Sequence, residues 1–216
     1  TFASAVKLLK KHDFIFCHNE VTVYKYVEEY APELFEEIKE LVKKGKWIII
    51  GGWYLQPDCN MPCGESMVRQ ILFGKKYFTE KFGVFPEIAF NVDAFGHSRG
   101  LVQIIKKCGQ SGNIICRPYP SETDLPHSRF IWVGLDGSEI KVMRAVEGYN
   151  TLLGKSLEII KRRAAMQPEQ RIAVLWGVGN HGGGPSDKDL CDIENYVDNV
   201  RNTALSANET NEERYE

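Results

Sequence analysis

The feature that most constrains the fold is a set of short apolar runs, each closed by glycine or polar residues. The clearest is Trp47-Ile48-Ile49-Ile50, which is nearly continuous and ends in Gly51-Gly52. Strands of a parallel sheet are covered on both faces and have this unbroken apolar character, whereas half-exposed strands alternate. Similar runs occupy residues 14–17, 88–90, 113–116 and 172–176. These runs predict buried strands spread along the chain.

Helical patterns separate the apolar runs. Residues 33–44 form an amphipathic pattern followed by Gly45, and residues 66–82 form a longer one closed by Gly83, a residue that commonly ends helices. Alternating strands and helices predict an α/β domain with a mainly parallel sheet. Asp136-Gly137 lies between two apolar runs, which adds an antiparallel hairpin. Ser186 and Asp189 have the spacing of a capping box, and we expect the helix they open to end near Val200.

Composition excludes some function classes. The 216 residues suffice for one domain with a real core, and the net charge of −2 includes no basic stripe; we therefore expect neither nucleic acid nor membrane as a partner. The six cysteines match no zinc-knuckle spacing, and a reducing, cytoplasmic location is predicted. No signal peptide is visible, but Thr1 already lies in a helical pattern, so we expect the native start to lie upstream.

Chemically active side chains follow the carboxyl ends of four of the predicted strands. In sheets with helical crossovers, catalytic residues collect at this edge. The four loops should therefore converge, and they carry Trp53 with Asp58, Asp93 with His97, Arg117, and Asn180 with His181.

Asp93 is the central candidate among these residues. It lies one helical turn before His97, so that both could face one cavity, and Arg117 needs an anion that Asp93 can supply. The alternative is that Asp93 merely caps the next helix. Packing is the alternative for Trp53, and a turn after Pro57 is the alternative for Asp58.

Other motifs carry less weight. The glycine-rich residues 179–185 lack both the Gly-Lys-Ser/Thr ending of a phosphate loop and a dinucleotide fingerprint, so nucleotide binding is the weaker reading. His12 is predicted to lie on the surface, and His18, at a strand end, could reach the active edge.

Several spaced motifs together resemble the N-terminal catalytic domain of the glycoside hydrolase family 38 α-mannosidases, in its bacterial and cytosolic branch. They keep the family's order and occupy residues 51–66, 69–70, 91–98, 117–118 and 180–185. The resemblance implies a seven-stranded β/α barrel-like domain over residues 1–203, incomplete at its start, with a polar, disordered tail over residues 204–216.

The resemblance also implies retaining hydrolysis of terminal α-mannosides in mannose-containing oligosaccharides. Asp93 matches the family's nucleophile, which also ligates a zinc ion, and Arg117 matches an active-site arginine. The other residues that it implies for the substrate pocket are Trp53, Asp58, His97 and Tyr149.

The chain departs from the family pattern in three places. It has no H-x-D zinc motif and no distant zinc-ligand histidine, so we expect the remaining zinc ligands outside this chain. The family's acid/base aspartate falls near Asn180, whose amide is a poor proton donor. The alternatives that stay open are His181, Asp187 or a residue outside this chain as substitute, or a shift of the loop in register. We therefore expect the 216-residue chain alone to be inactive.

Two other readings stay open beside the hydrolase. One is a carbohydrate-binding or pseudoenzyme domain that keeps the sugar pocket, which Asn180 favours. The other, a metal-dependent deacetylase-like hydrolase, predicts an H-x-x-x-H pair that His97 does not form. Homo-oligomerisation of the full-length protein is also left open.

Overall fold

Thirteen helices and strands follow one another in the computed structural model, which describes residues 1–125, 127–166, 172–179 and 183–212, with the backbone alone over 204–212. In chain order the elements are α1 Phe2–Leu9, β1 Phe16–Glu20, α2 Val21–Tyr30, α3 Pro32–Lys43, β2 Trp47–Trp53, α4 Gly64–Phe82, β3 Ile88–Asn91, α5 Leu101–Lys107, β4 Gly112–Ile115, β5 Arg129–Val133, β6 Glu139–Arg144, α6 Ser156–Ala165 and α7 Asp187–Glu212.

The six strands of the described residues form two sheets. β1 pairs with β2 in parallel, and the second sheet has the order β3-β4-β6-β5. Its β3–β4 and β4–β6 pairs are parallel, whereas β5 and β6 form an antiparallel pair. The mainly parallel α/β architecture and the hairpin around Asp136-Gly137 are thus confirmed.

Side-chain amides connect the two sheets where no strand ladder does. The Asn19 amide donates to the Phe90 carbonyl over 3.2 Å, and the Gln110 amide donates to the Gly51 carbonyl over 2.6 Å. The first bond holds the carboxyl end of β1 beside the carboxyl end of β3, and the second holds the glycine pair of β2 against the segment that precedes β4.

The apolar run at residues 172–176 is not a strand in the structure. It is half-buried and has no regular secondary structure, and the nearest bridge along the chain joins Thr151 and Val178 in parallel. One of its carbonyls, that of Leu175, instead accepts a hydrogen bond from Arg163. An apolar run indicates that a segment is buried, but it does not identify a neighbouring strand with which the segment pairs. The described residues therefore do not confirm a seven-stranded barrel.

Two hydrophobic clusters form the core, and β2 contributes to both. Trp47 and Ile49 pack with α1, α2 and α3, whereas Trp53 packs with α4, α5 and the second sheet. α4 can lie close to β2 because Gly74 faces it: a Cβ there would lie 2.1 Å from the Gly52 carbonyl oxygen.

The last helix differs from its prediction. Ser186 accepts a hydrogen bond from the Asp189 N–H over 3.1 Å, so its role as helix cap is confirmed. The helix does not end near Val200: the backbone of residues 204–212, which we expected to be disordered, continues it. Residues 213–216 lie outside the described part of the chain. None of the helices described is long and apolar enough to cross a membrane, and all six cysteines are free.

Candidate active site at the strand ends

Asn91, the last residue of β3, fastens the first two strand-end loops to each other. Its amide donates to the Pro57 carbonyl over 3.2 Å and to the Cys59 sulfur over 2.8 Å. Cys59 in turn forms an isolated parallel bridge with His97. The loop after β2 therefore lies directly against the loop that carries Asp93.

Gly96 permits this close approach. Its φ of +145° lies in a region that side chains rarely adopt, and a Cβ would lie 2.1 Å from the Asn60 amide nitrogen. Only glycine fits this position without moving Asn60.

Asp93 forms an ion pair with Arg117, which lies two residues after the end of β4. The Arg117 Nε lies 3.3 Å from Asp93 Oδ1, and its guanidinium lies over the rings of Phe95 and Tyr119, 4.6 and 4.5 Å from their centroids. Stacking on two rings fixes the plane of the guanidinium. The Asp93 side chain is still 40% exposed, so a ligand can reach the carboxylate.

Tyr149 reaches the same carboxylate from the loop after β6. Burial, followed by a hydrogen bond to Asp93, raises the pKa of Tyr149 to about 12. The hydroxyl therefore stays protonated at neutral pH beside Asp93. Three residues that are distant in sequence, Asp93, Arg117 and Tyr149, thus lie near one another.

His97 borders a cavity of about 490 Å³ beside this group, lined by Phe95, His97, Arg117, Pro118, Phe130 and Trp132 among others. Both ring nitrogens of His97 are buried without a hydrogen-bond partner among the described residues. Burial lowers the pKa of His97, and the backbone of Arg117 and the charge of Asp58 only partly oppose this. A neutral imidazole with unused nitrogens, beside aromatic faces, suits a ligand that has both hydroxyl groups and apolar faces.

Trp53 and Asp58 take the alternative roles that the sequence offered. Trp53 is 0% exposed and belongs to the core, so it presents no surface to a ligand and its prediction as a pocket residue is corrected to packing. The exposed Asp58 accepts the Asn60 N–H over 2.9 Å, which closes a turn. It lies near enough to influence His97, but it forms no contact with Asp93 in the described structure.

Asn180 and His181 lie outside the described residues, but the two ends of their loop are in place. Gly179 donates its N–H to the Thr151 carbonyl over 3.2 Å, and Val178 and Gly184 form an antiparallel bridge. A Cβ on Gly179 would lie 2.5 Å from the Asn150 side chain. The loop thus begins against the neighbour of Tyr149.

Asp187, the other candidate for the acid/base, is engaged elsewhere. It binds Lys11 and His12, and hydrogen bonds from His12 and Lys11 lower its pKa. A general acid needs a raised pKa, so Asp187 is poorly suited to that role.

Two buried arginines, which the sequence reading missed, hold the active loops. Arg163 is 4% exposed and donates to the carbonyls of Leu175, Glu147 and Asn150 over 2.6 to 2.9 Å, which places the loop of Tyr149. Arg144 donates to the carbonyls of Pro118 and Thr123. The burial of Arg144 could have been predicted from the sequence. Side chains alternate between the two faces of a strand, and Arg144 lies on the same face of β6 as the buried Ile140 and Val142.

The described residues do not complete a metal site at Asp93. The one group of three His, Cys, Asp or Glu ligand atoms in the described ranges is His12, Asp187 and Cys191, whereas the Asp93 contacts described are a guanidinium and a phenol. The donor set at Asp93 therefore does not by itself fit zinc.

Comparison with known proteins gives consistent matches. Residues 1–213 match the model of the glycosyl hydrolases family 38 N-terminal domain. The chain is 34% identical to Alpha-mannosidase G of Dictyostelium discoideum, over 80% of this chain and 16% of that protein. It is 31% identical to Alpha-mannosidase 2C1 of Homo sapiens, over 86% of this chain and 18% of that protein. The chain thus spans less than a fifth of the length of these relatives.

Solved structures agree on the fold. An alpha-mannosidase from Enterococcus faecalis V583 superposes with a TM-score of 0.73 at 18% identity, over 90% of this chain and 24% of that one. At 18% identity the superposition supports only the arrangement of helices and strands.

Proposed function

The chain belongs to glycosyl hydrolase family 38, and on that premise we propose that it supplies the nucleophile for retaining hydrolysis of terminal α-mannosides. The observation that carries this proposal is the meeting of Asp93, Arg117 and Tyr149 beside the cavity. The substrate class follows from the relatives, which are named as alpha-mannosidases.

The arrangement suits nucleophilic attack by a carboxylate. Arg117 pairs with Asp93 and orients it, Tyr149 lies beside the carboxylate, and the exposed part of Asp93 can face a ligand. In a retaining reaction, Asp93 would attack the anomeric carbon, expel the leaving group and form a glycosyl ester, which water then hydrolyses. The leaving oxygen needs a proton from a second group. We assign that role to the loop of Asn180 and His181, or to a residue beyond this chain.

We expect Asp93 to be one of the ligands of a zinc ion. Its further ligands would have to come from residues other than those described here. For the same reason we expect the 216-residue chain alone to be inactive.

The decisive experiment is Asp93→Asn in the longer protein that contains this chain, assayed with p-nitrophenyl α-mannoside. Loss of a nucleophile should lower kcat by at least about 10³-fold. Asp192→Asn makes the same change on the exposed face of α7, in an i,i+4 pair with Lys188, and should leave kcat unchanged. Activity that persists in Asp93→Asn contradicts the assignment.

A carbohydrate-binding domain without turnover is the second candidate, favoured by the amide at Asn180 where the family has an acid. Calorimetric binding of mannose to the same longer protein, together with no release of p-nitrophenol over long incubation, would select it. In that case Asp93→Asn would weaken binding and there would be no catalysis to lose.

A further inference from the structure

His12 occupies an unusual place at the end of α1. We predicted it on the surface, but its side chain is only 3% exposed, and carboxylates face both ring nitrogens. Nε2 lies 2.9 Å from Asp187 Oδ1, and Nδ1 lies 2.8 Å from Glu194 Oε2. A buried imidazole so held has a fixed position and a fixed orientation.

α7 presents three potential ligands to this imidazole. Asp187, Cys191 and Glu194 are spaced four and then three residues apart, which places them on one face of the helix. One ligand atom each from His12, Asp187 and Cys191 lies within 4.8 Å of the other two. The His12 and Asp187 atoms, 2.9 Å apart, already have nearly the spacing of two ligands on a tetrahedral metal, and a side-chain rotation of Cys191 would bring its sulfur in to complete the set.

We propose that His12, Asp187 and Cys191 form a divalent metal site of the zinc class, separate from Asp93 and independent of the proposed hydrolase activity. Imidazole nitrogen, thiolate sulfur and carboxylate oxygen are the three donor types that zinc accepts. Calcium and magnesium select sites built from oxygen alone, so the cysteine and the histidine point away from them.

Glu194 acts on the site through His12. It accepts the Nδ1 proton and is itself fixed by the Asp13 N–H over 3.0 Å. This bond leaves Nε2, which now faces Asp187, as the nitrogen that would bind the metal once its proton is released, in the carboxylate–histidine–metal arrangement common in metalloproteins. Lys11 now contacts Asp187 and must withdraw from one oxygen; its side chain is 59% exposed and can return to water.

The metal would join the first helix to the last. At the opposite end of α1, the Thr1 hydroxyl donates to the Gly183 carbonyl over 3.1 Å, at the far end of the loop that carries Asn180 and His181. A metal on His12, Asp187 and Cys191 therefore ties the segment after α1 to α7, only four residues beyond Gly183.

The test uses the purified, metal-free chain titrated with Co²⁺, whose bond to a thiolate produces an intense near-ultraviolet band. We expect one equivalent to bind with this band and Zn²⁺ to displace it. Cys191→Ser should abolish the band and weaken Zn²⁺ binding at least tenfold. Cys63→Ser, a change at an exposed free cysteine, should preserve both.

Three results would overturn the proposal: no bound metal in equilibrium dialysis, a thiolate band that survives in Cys191→Ser, or a band lost in Asp93→Asn. His12→Gln should also abolish tight binding. Because that variant loses a buried side chain and its fold could suffer, the exposed Asp187→Asn provides the second measurement, with an expected tenfold loss of Zn²⁺ affinity.

Discussion

Single buried side chains position the candidate site. Asn91 binds the loop after β2 and positions it next to the loop of Asp93. Arg163 donates hydrogen bonds to three carbonyls in and near the loop of Tyr149. A buried carbonyl that loses its donor keeps the full cost of its lost hydration. These positions should therefore be sensitive even though they touch no ligand.

Arg163→Met tests this point. We expect the free energy of unfolding to fall by about 2–4 kcal/mol, because three backbone carbonyls lose a charged donor that is itself buried. The matched control is Arg162→Met, which removes an exposed guanidinium paired with Glu147 and should cost less than about 1 kcal/mol. Urea denaturation of both variants gives the comparison, and equal losses would contradict the role assigned to Arg163.

Close contact between α4 and β2 depends on glycine at position 74. Gly74 lies in the interior of α4, where alanine would normally favour the helix by about 1 kcal/mol. Its face, however, meets the backbone of Gly52 and Trp53, and backbone cannot move aside as a side chain can.

Gly74→Ala should therefore destabilise the protein by about 2–3 kcal/mol in spite of the better helix propensity. Gly64→Ala, in the first turn of the same helix, is the control: its Cβ would meet only Ile104 Cδ1, at 3.7 Å, so we expect no loss. Thermal unfolding monitored by circular dichroism measures both, and a stabilised Gly74→Ala variant would show that the two elements are not tightly packed.

Stability of the whole molecule should depend on His18. Its ring packs against the edges of Phe2 and Tyr24, 4.7 and 5.4 Å between centroids, and burial lowers the pKa of His18 to about 4. The folded state therefore favours the neutral ring. This contribution is complete above the unfolded pKa of about 6.5 and is lost as pH falls towards 4.

Lowering the pH from 7 to 5 should then cost at most about 2 kcal/mol through His18. In His18→Phe this part of the acid loss should vanish, whereas His127→Phe, at an exposed position, should keep it. Urea midpoints at the two pH values provide the measurement. An unchanged acid dependence in His18→Phe would mean that the ring takes up its proton without cost.

The sequence by itself determined the features that depend on neighbours along the chain. The apolar runs before Gly51 and Asn91 became strands, Asp136-Gly137 made the hairpin, and Ser186 capped α7, because backbone propensity and capping act within a few residues. It also indicated the carboxyl edge as the place for Asp93 and Arg117, since parallel strands bring their ends together, whereas Tyr149 was expected in the pocket only from the family resemblance.

Only the tertiary structure decided what depends on distant partners. Trp53 became core because α4 and α5 cover it, and residues 172–176 stayed out of the sheets while Arg163 bound one of their carbonyls. His12 left the surface because α7, about 180 residues later, brings Asp187 and Glu194 to it. Burial and ion pairing follow from which segments meet in space, and no local pattern in the sequence records that meeting.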